Sequence, residues 1–150
     1  MQSYHDNFDT PIGKMEISAT ADAVTSIHFV DEVQVQKTNN VTDLAKRQLL
    51  EYFSGERKEF DIPMAPTGTD FQKKVWGALE KVSYGDTCAY VDIANEIKNP
   101  KAVRAVGSAN GKNPMTIVVP CHRVIGRDGS LTGYASGTKR KAWLLEHESH

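Results

Sequence analysis

Ile117-Val118-Val119-Pro120-Cys121-His122-Arg123-Val124 is an apolar run that stops at a proline and sets a cysteine against a histidine and an arginine. A thiol attacks as its thiolate, and imidazole or guanidinium charge close by lowers its pKa. Cys121 has both groups beside it in sequence, although successive side chains on a strand point to opposite faces. The working base is therefore His122, Arg123 or a residue distant in sequence. An inert cysteine fits the same octet, since free cysteine is among the most buried side chains. What flanks the octet separates the two.

Upstream, three helices are predicted between residues 69 and 109. Thr69 or Asp70 caps one whose Phe71, Val75, Leu79 and Val82 share a face, and Tyr84-Gly85-Asp86 ends it. A second covers residues 90–97, and Asn99-Pro100 gives the cap and first turn of a third over residues 101–109, closed by Asn110-Gly111. Two short helices across a tight turn make a helix-turn-helix candidate. The third is built of small residues, Ala102, Ala105, Gly107, Ser108 and Ala109, with Arg104 the one long side chain in its middle. Such a helix suits either close packing in a core or entry into a narrow groove of DNA, with Arg104 reaching toward the base stack.

Downstream, Gly126-Arg127-Asp128-Gly129-Ser130 carries the Asp-Gly hairpin signal, and residues 131–137 form a glycine-rich loop. A last helix is predicted over residues 138–147, with Trp143, Leu144 and His147 facing inward and Lys139-Arg140-Lys141 at its start. Cations there oppose the helix dipole, which suits a phosphate-bearing partner or plain solvation.

The N-terminal half reads differently. Asp9-Thr10-Pro11-Ile12-Gly13 is turn chemistry before strands at residues 14–18 and 24–30, an antiparallel hairpin. A helix over residues 43–52 stops at Gly55, and residues 62–69, with two prolines and a glycine, form a linker. Residues 1–66 hold 6 Lys and Arg against 11 Asp and Glu; residues 67–150 hold 12 against 8. Polyanion binding therefore belongs to the second half. Cys88 and Cys121 form no Cys-x-x-Cys pair, so neither a disulfide framework nor a metal knuckle is indicated. No stretch of the 150 residues is apolar enough to cross a bilayer, and the expected setting is the cytoplasm, with no membrane partner.

Together these pieces resemble the O6-alkylguanine-DNA alkyltransferases. The likeness is carried by Pro120-Cys121-His122-Arg123-Val124, by Gly68-Thr69-Asp70-Phe71-Gln72 with Val75-Trp76, by Tyr84-Gly85-Asp86-Thr87, and by Asn99-Pro100-Lys101-Ala102-Val103-Arg104-Ala105-Val106-Gly107. Asn113-Pro114, Gly133-Tyr134 and Lys141-Ala142-Trp143-Leu144-Leu145-Glu146-His147-Glu148 extend it. In the first half it is looser, through Thr10-Pro11-Ile12-Gly13 and Gln48-Leu49-Leu50-Glu51-Tyr52-Phe53.

The resemblance implies an α/β ribonuclease-H-like domain over residues 1–66 and a mainly α domain with a winged helix-turn-helix-like motif over residues 67–150. It implies a monomer that enters the minor groove of double-stranded DNA containing alkylated guanine, flips the damaged base and takes the alkyl group irreversibly, once. O4-alkylthymine is a further candidate substrate. Cys121 matches the acceptor, His122 its base through a water, Glu148 the carboxylate behind the histidine, Tyr90 the donor to guanine N3 and Asn113 the brace of the active-site turn. Arg104, Ala102, Ala105, Gly107 and Arg123 fall on the DNA-binding side; Val124, Tyr134, Ala135 and Lys141 fall in the base pocket. Some relatives carry zinc in the first half, which here has His5 and His28 but no cysteine, so neither metal nor cofactor is expected. Cys88 matches no role and is read as packing. A thiolate suits displacement of an alkyl group from an ether-like oxygen whatever the family. Two other readings compete: a DNA-binding regulator without transfer, and a thiol-dependent hydrolase or redox enzyme.

Overall fold

Thr10-Pro11-Ile12-Gly13 turns the chain tightly enough to pair its flanks, because Gly13 takes a φ of 131° and the Thr10 hydroxyl bonds the Gly13 carbonyl. In the computed structural model, which describes residues 3–131 and 133–149, this turn joins β1 (Tyr4–Thr10) to β2 (Gly13–Ala19). β3 (Val24–Phe29) completes an antiparallel sheet in the order β1-β2-β3. The sequence reading has β2 and β3 but not β1, whose inward positions are Asp6 and Phe8, so its alternation is hidden by an acid.

α1 (Asn40–Phe53) lays Val41, Ala45, Gln48, Leu49 and Tyr52 in the core, while Leu50 is exposed. It starts upstream of the expected residue 43 because Asn39 and Thr42 form a capping box. Met15, Ile17, Val24, Ile27 and Leu49 are fully enclosed, each worth about 2 kcal/mol of burial. The expected linker is tied down at its start: Val24 N donates to Pro63 O, Ala65 N to Val24 O, and the Gln48 amide pairs with the backbone of Asp61.

The chain divides into two compact units, residues 1–67 with 114–116, and residues 68–113 with 117–150. Within the first, Ile27 N donates to Pro114 O and Thr116 N to Ile27 O, so the chain returns to the edge of β3 just before the cysteine octet.

The second unit contains α2 (Asp70–Leu79), α3 (Tyr90–Glu96), α4 (Val103–Gly111) and α5 (Thr138–Glu148). Thr69 caps α2 in a capping box with Gln72. α4 starts two residues later than expected. Ala102 N bonds Asn99 O, so Pro100 occupies the corner of a β-turn instead of a first helical turn. α2, α3 and α4 pack on one another through Val75, Trp76, Leu79, Ile93, Ala94, Val106 and Ala109, and Trp76 Nε1 donates to Ala109 O at 2.9 Å. β4 (Cys88–Ala89) pairs in parallel with β5 (Val124–Ile125). The Asp-Gly turn closes on itself, Gly126 N to Ser130 O, but β5 has no hairpin partner following it among the described residues. Thr132 of the expected glycine-rich loop lies outside the described residues. Among those residues no helix is long and apolar enough to cross a membrane.

Candidate active site around Cys121

The approach to Cys121 is a strained, braced corner, where the sequence suggests a strand. Ile117 has a φ of 74°, unfavourable for a β-branched residue by about 1–3 kcal/mol, and is buried all the same. Pro120, at φ −82° and ψ 63°, centres an inverse γ-turn in which Cys121 N donates to Val119 O at 2.8 Å. Cys121–Arg123 then form one turn of 3-10 helix. Two asparagines hold the corner. Asn113 Nδ2 donates to Val119 O at 2.8 Å and Asn110 Nδ2 to Cys121 O at 3.4 Å. Sequence reading gave Asn110 only the closing of a helix; nothing in its spacing announces the second task.

Cys121 is 6% exposed. Burial pushes its thiol up, opposed by a hydrogen bond from Asn113 and the charge of Lys141. The expectation that neighbouring His122 and Arg123 charge lowers this pKa is therefore corrected, because the cation acting on the thiol comes from α5 and the resting sulfur keeps its proton.

His122 is wholly buried, and its Nε2 lies 2.7 Å from Glu148 Oε2. Burial holds its pKa down, more than Glu148 raises it, and Arg123 and Lys141 lower it further. A neutral imidazole facing an acceptor-only carboxylate carries its proton on Nε2. Nδ1, which has no hydrogen-bond partner among the described residues, is then a lone pair able to take a proton.

Arg123 is the second correction. Read as a DNA contact, it is 6% exposed, with Nε and Nη2 on the two oxygens of Glu148 at 2.7 and 3.1 Å and Nη1 on Val82 O at 2.7 Å. The Tyr84 ring lies 5.7 Å from its guanidinium carbon. Each of its three nitrogens donates inside the protein, and its burial turns it away from the surface a phosphate would meet.

Lys141 is also enclosed, although its cluster with Lys139 and Arg140 looks like surface. Its Nζ donates to Val124 O and stands 6.0 Å from the centre of the Tyr134 ring. Lys141, Leu144 and Glu148 share one face of α5, so a single helix delivers the cation beside the thiol and the carboxylate behind the histidine. Trp143 and His147, expected inward, are part-exposed and stack at 4.9 Å.

Tyr90, at the start of α3, is half-buried, its phenol pushed up by burial and then by Cys121. A Cβ on Gly133, whose φ is 87°, would come within 2.9 Å of the Tyr90 hydroxyl. Gly107 of α4 faces the same ring, where a Cβ would stand in ordinary contact, 3.9 Å from Tyr90 Cδ1. Tyr134 is 7% exposed, with burial and Cys121 raising its pKa, while Ala135 is exposed beside it. Thus Asn113, Lys141, Tyr90 and Tyr134 act on the Cys121 thiol, Lys141 holds the Val124 carbonyl, and Glu148 holds the neighbouring His122. Arg104 and Ala105 lie exposed on α4, with Ala102 half-buried at its cap. Cys88 is half-buried on β4, its thiol pushed up to about 11 by burial and Asp92.

Known proteins match both halves of the chain. Residues 3–66 match the ribonuclease-like domain of 6-O-methylguanine DNA methyltransferase, and residues 70–150 match its DNA binding domain. A methylated-DNA–protein-cysteine methyltransferase of Methanosarcina acetivorans is 47% identical over 152 residues, covering 97% of each chain. The constitutive protein of that name from Bacillus subtilis is 45% identical over 158 residues, covering 97% of this chain and 95% of its own. Mycobacterium tuberculosis OGT in complex with DNA superposes with a TM-score of 0.90 at 42% identity, over 97% of this chain and 92% of that one. The chain belongs to the 6-O-methylguanine DNA methyltransferase family.

Proposed function

We propose that this chain repairs DNA by moving the alkyl group from O6 of a guanine in a duplex onto Sγ of its own Cys121, once per molecule. The observation that carries the reading is the thiol, imidazole and carboxylate series of Cys121, His122 and Glu148, enclosed with Lys141 and Asn113 at the sulfur. The thiol proton passes to His122 Nδ1, through one water, and Glu148 stabilises the imidazolium formed. The thiolate attacks the alkyl carbon, the carbon–O6 bond breaks, and its electron pair stays with guanine. Tyr90, whose raised pKa keeps its phenol protonated, donates to the ring nitrogen and recovers a proton from the imidazolium side, so the net transfer is from sulfur to base. The thioether has no leaving path in this residue set, hence single turnover.

Reaching Cys121 requires the base outside the stack. The exposed face of α4, with Arg104, Ala105 and Ser108, suits the minor groove, and a monomer carries every group named, all within residues 67–150. The test is mass spectrometry after incubation with a duplex holding one O6-methylguanine. One methyl on the Cys121 peptide, a plateau of about one lesion per molecule and no transfer by Cys121→Ser are expected. A linear rate that continues with excess substrate, or methyl elsewhere, overturns the reading.

A further inference from the structure

Arg123 is 6% exposed and donates three hydrogen bonds, none of them to the thiol. Its three nitrogens engage both oxygens of Glu148 and the carbonyl of Val82, and the Tyr84 ring covers it. Glu148 Oε2 is shared, accepting from Arg123 Nη2 at 3.1 Å and from His122 Nε2 at 2.7 Å. A carboxylate whose charge is divided between a permanent cation and an imidazole stabilises the imidazolium less than one facing the imidazole alone. The bidentate fork also fixes the carboxylate plane, and with it the direction in which His122 must point.

We propose that Arg123 is a positioning residue for alkyl transfer: it locks the Glu148 carboxylate toward His122 and takes up part of its charge, which keeps His122 neutral and ready to accept the Cys121 proton. This rests on the transfer reading given above. Too strong a carboxylate partner would leave His122 already protonated at rest, unable to serve as base; too weak a one would leave the imidazolium unsupported during transfer. Arg123 sets the balance between these extremes.

The groups facing His122 are consistent with that division. From α5 come Glu148, which favours its protonated form, and Lys141, which opposes it; from its own turn come Arg123, also opposing, and Cys121. Tyr84, from the segment after α2, lies against Arg123, and Tyr134 precedes α5; both phenols are pushed up and stay neutral. α2 also packs on the turn but contributes apolar Val75, Ala78 and Leu79 to the core. Arg123 is thus a permanent counter-charge bonded to Glu148 itself.

The experiment is the pH dependence of methyl transfer to Cys121, read by mass on a methylated duplex, for the parent chain, Arg123→Gln and Arg123→Lys. In the parent the rate falls on the acid side as His122 takes up a proton. Removing the guanidinium turns the whole carboxylate charge on His122, so its proton affinity rises and the acid limb of Arg123→Gln moves up by about one pH unit. Arg123→Lys keeps a point charge without the fork, so its limb stays nearer the parent's while its plateau rate falls about tenfold from lost orientation. Limbs superimposable on the parent's in both variants, or loss of fold in both, would overturn the proposal and leave Arg123 a structural ion pair. A parent that takes no methyl on Cys121 sinks the transfer reading instead, and the two failures are told apart by that control.

Discussion

The exposed face of α4 and the buried turn at Cys121–Arg123 each hold an arginine that sequence reading directs to DNA, and the fold treats the two in opposite ways. Arg104 stands in solvent on a helix of small residues, with no ion pair among the described residues. Arg123 is enclosed, and each of its three nitrogens bonds Glu148 or Val82. A guanidinium in solvent acts on whatever arrives; one held against a buried carboxylate acts on the groups that share that carboxylate. Arginine beside a nucleophile is therefore no evidence of a nucleic-acid contact until its partners are known. The stability of the fold should depend strongly on the second region and hardly at all on the first.

The largest effect expected on that contrast comes from Glu148→Gln. The amide keeps the shape and can still accept from His122 Nε2, but it leaves Arg123 as a buried charge without its counter-ion. Breaking a buried pair in this way costs about 3–5 kcal/mol. Urea unfolding should show a loss of that size, and transfer to Cys121 should slow as the imidazolium loses its support. A loss under about 1 kcal/mol would mean that water reaches Arg123, and the division between the two arginines would collapse.

These two regions were also unequally legible. The α4 surface is readable because its signal is local: a Pro-marked turn, small residues and one long side chain. The helix start was readable for the same reason, as a cap at Thr69 or Asp70, and the structure settles it at Thr69 through a capping box with Gln72. The buried set was readable only in part. The Cys121-His122 pair and the Glu148 match come from motif likeness, whereas the burial of Arg123 and Lys141 follows from α5 folding back on the 3-10 turn, a contact between segments far apart in sequence. A run of three basic residues at a helix start looks like solvent whichever one of them turns inward. β1 escaped for a related reason: Asp6 sits where an apolar residue would have marked the strand, its carboxylate bonded instead to Gln36 and near Lys46. The corner at Pro120 has no sequence signature beyond the proline itself, and the left-handed Ile117 has none at all.

A middling effect is expected where the two regions approach each other through Tyr90, which lies against Gly107 of α4 and against Gly133 before α5. Gly133→Ala places a Cβ within 2.9 Å of the Tyr90 hydroxyl at a φ of 87°, which L side chains rarely adopt. The strain should amount to about 1–2 kcal/mol, visible as a lowered Tm. Transfer should also slow, because the hydroxyl is the atom that must move. Adding Tyr90→Phe to Gly133→Ala removes the clashing oxygen and should restore part of the stability without restoring the rate. Full additivity of the two changes would show that the glycine is needed for its backbone alone.

The smallest effect on the fold, and the sharpest on DNA use, is expected from Arg104→Ala. Loss of an exposed arginine with no ion pair among the described residues leaves stability within about 0.5 kcal/mol of the parent. What it does to repair depends on how α4 meets the duplex. A flipped guanine leaves a gap in the stack, and return of the base to that gap competes with transfer; flipping itself costs a few kcal/mol. A side chain that fills the gap raises the flipped population more than overall affinity. One that merely neutralises a phosphate weakens binding to all sequences and reduces the slope of log affinity against log salt by about one. Arg104→Ala is therefore expected to slow repair of a lesion in duplex DNA more than reaction with the free alkylated base, which needs no flipping, with little change in the salt slope. Equal losses on both substrates would place Arg104 in support of the pocket, and the exposed face of α4 would no longer be distinguished from the buried turn by what it does to DNA.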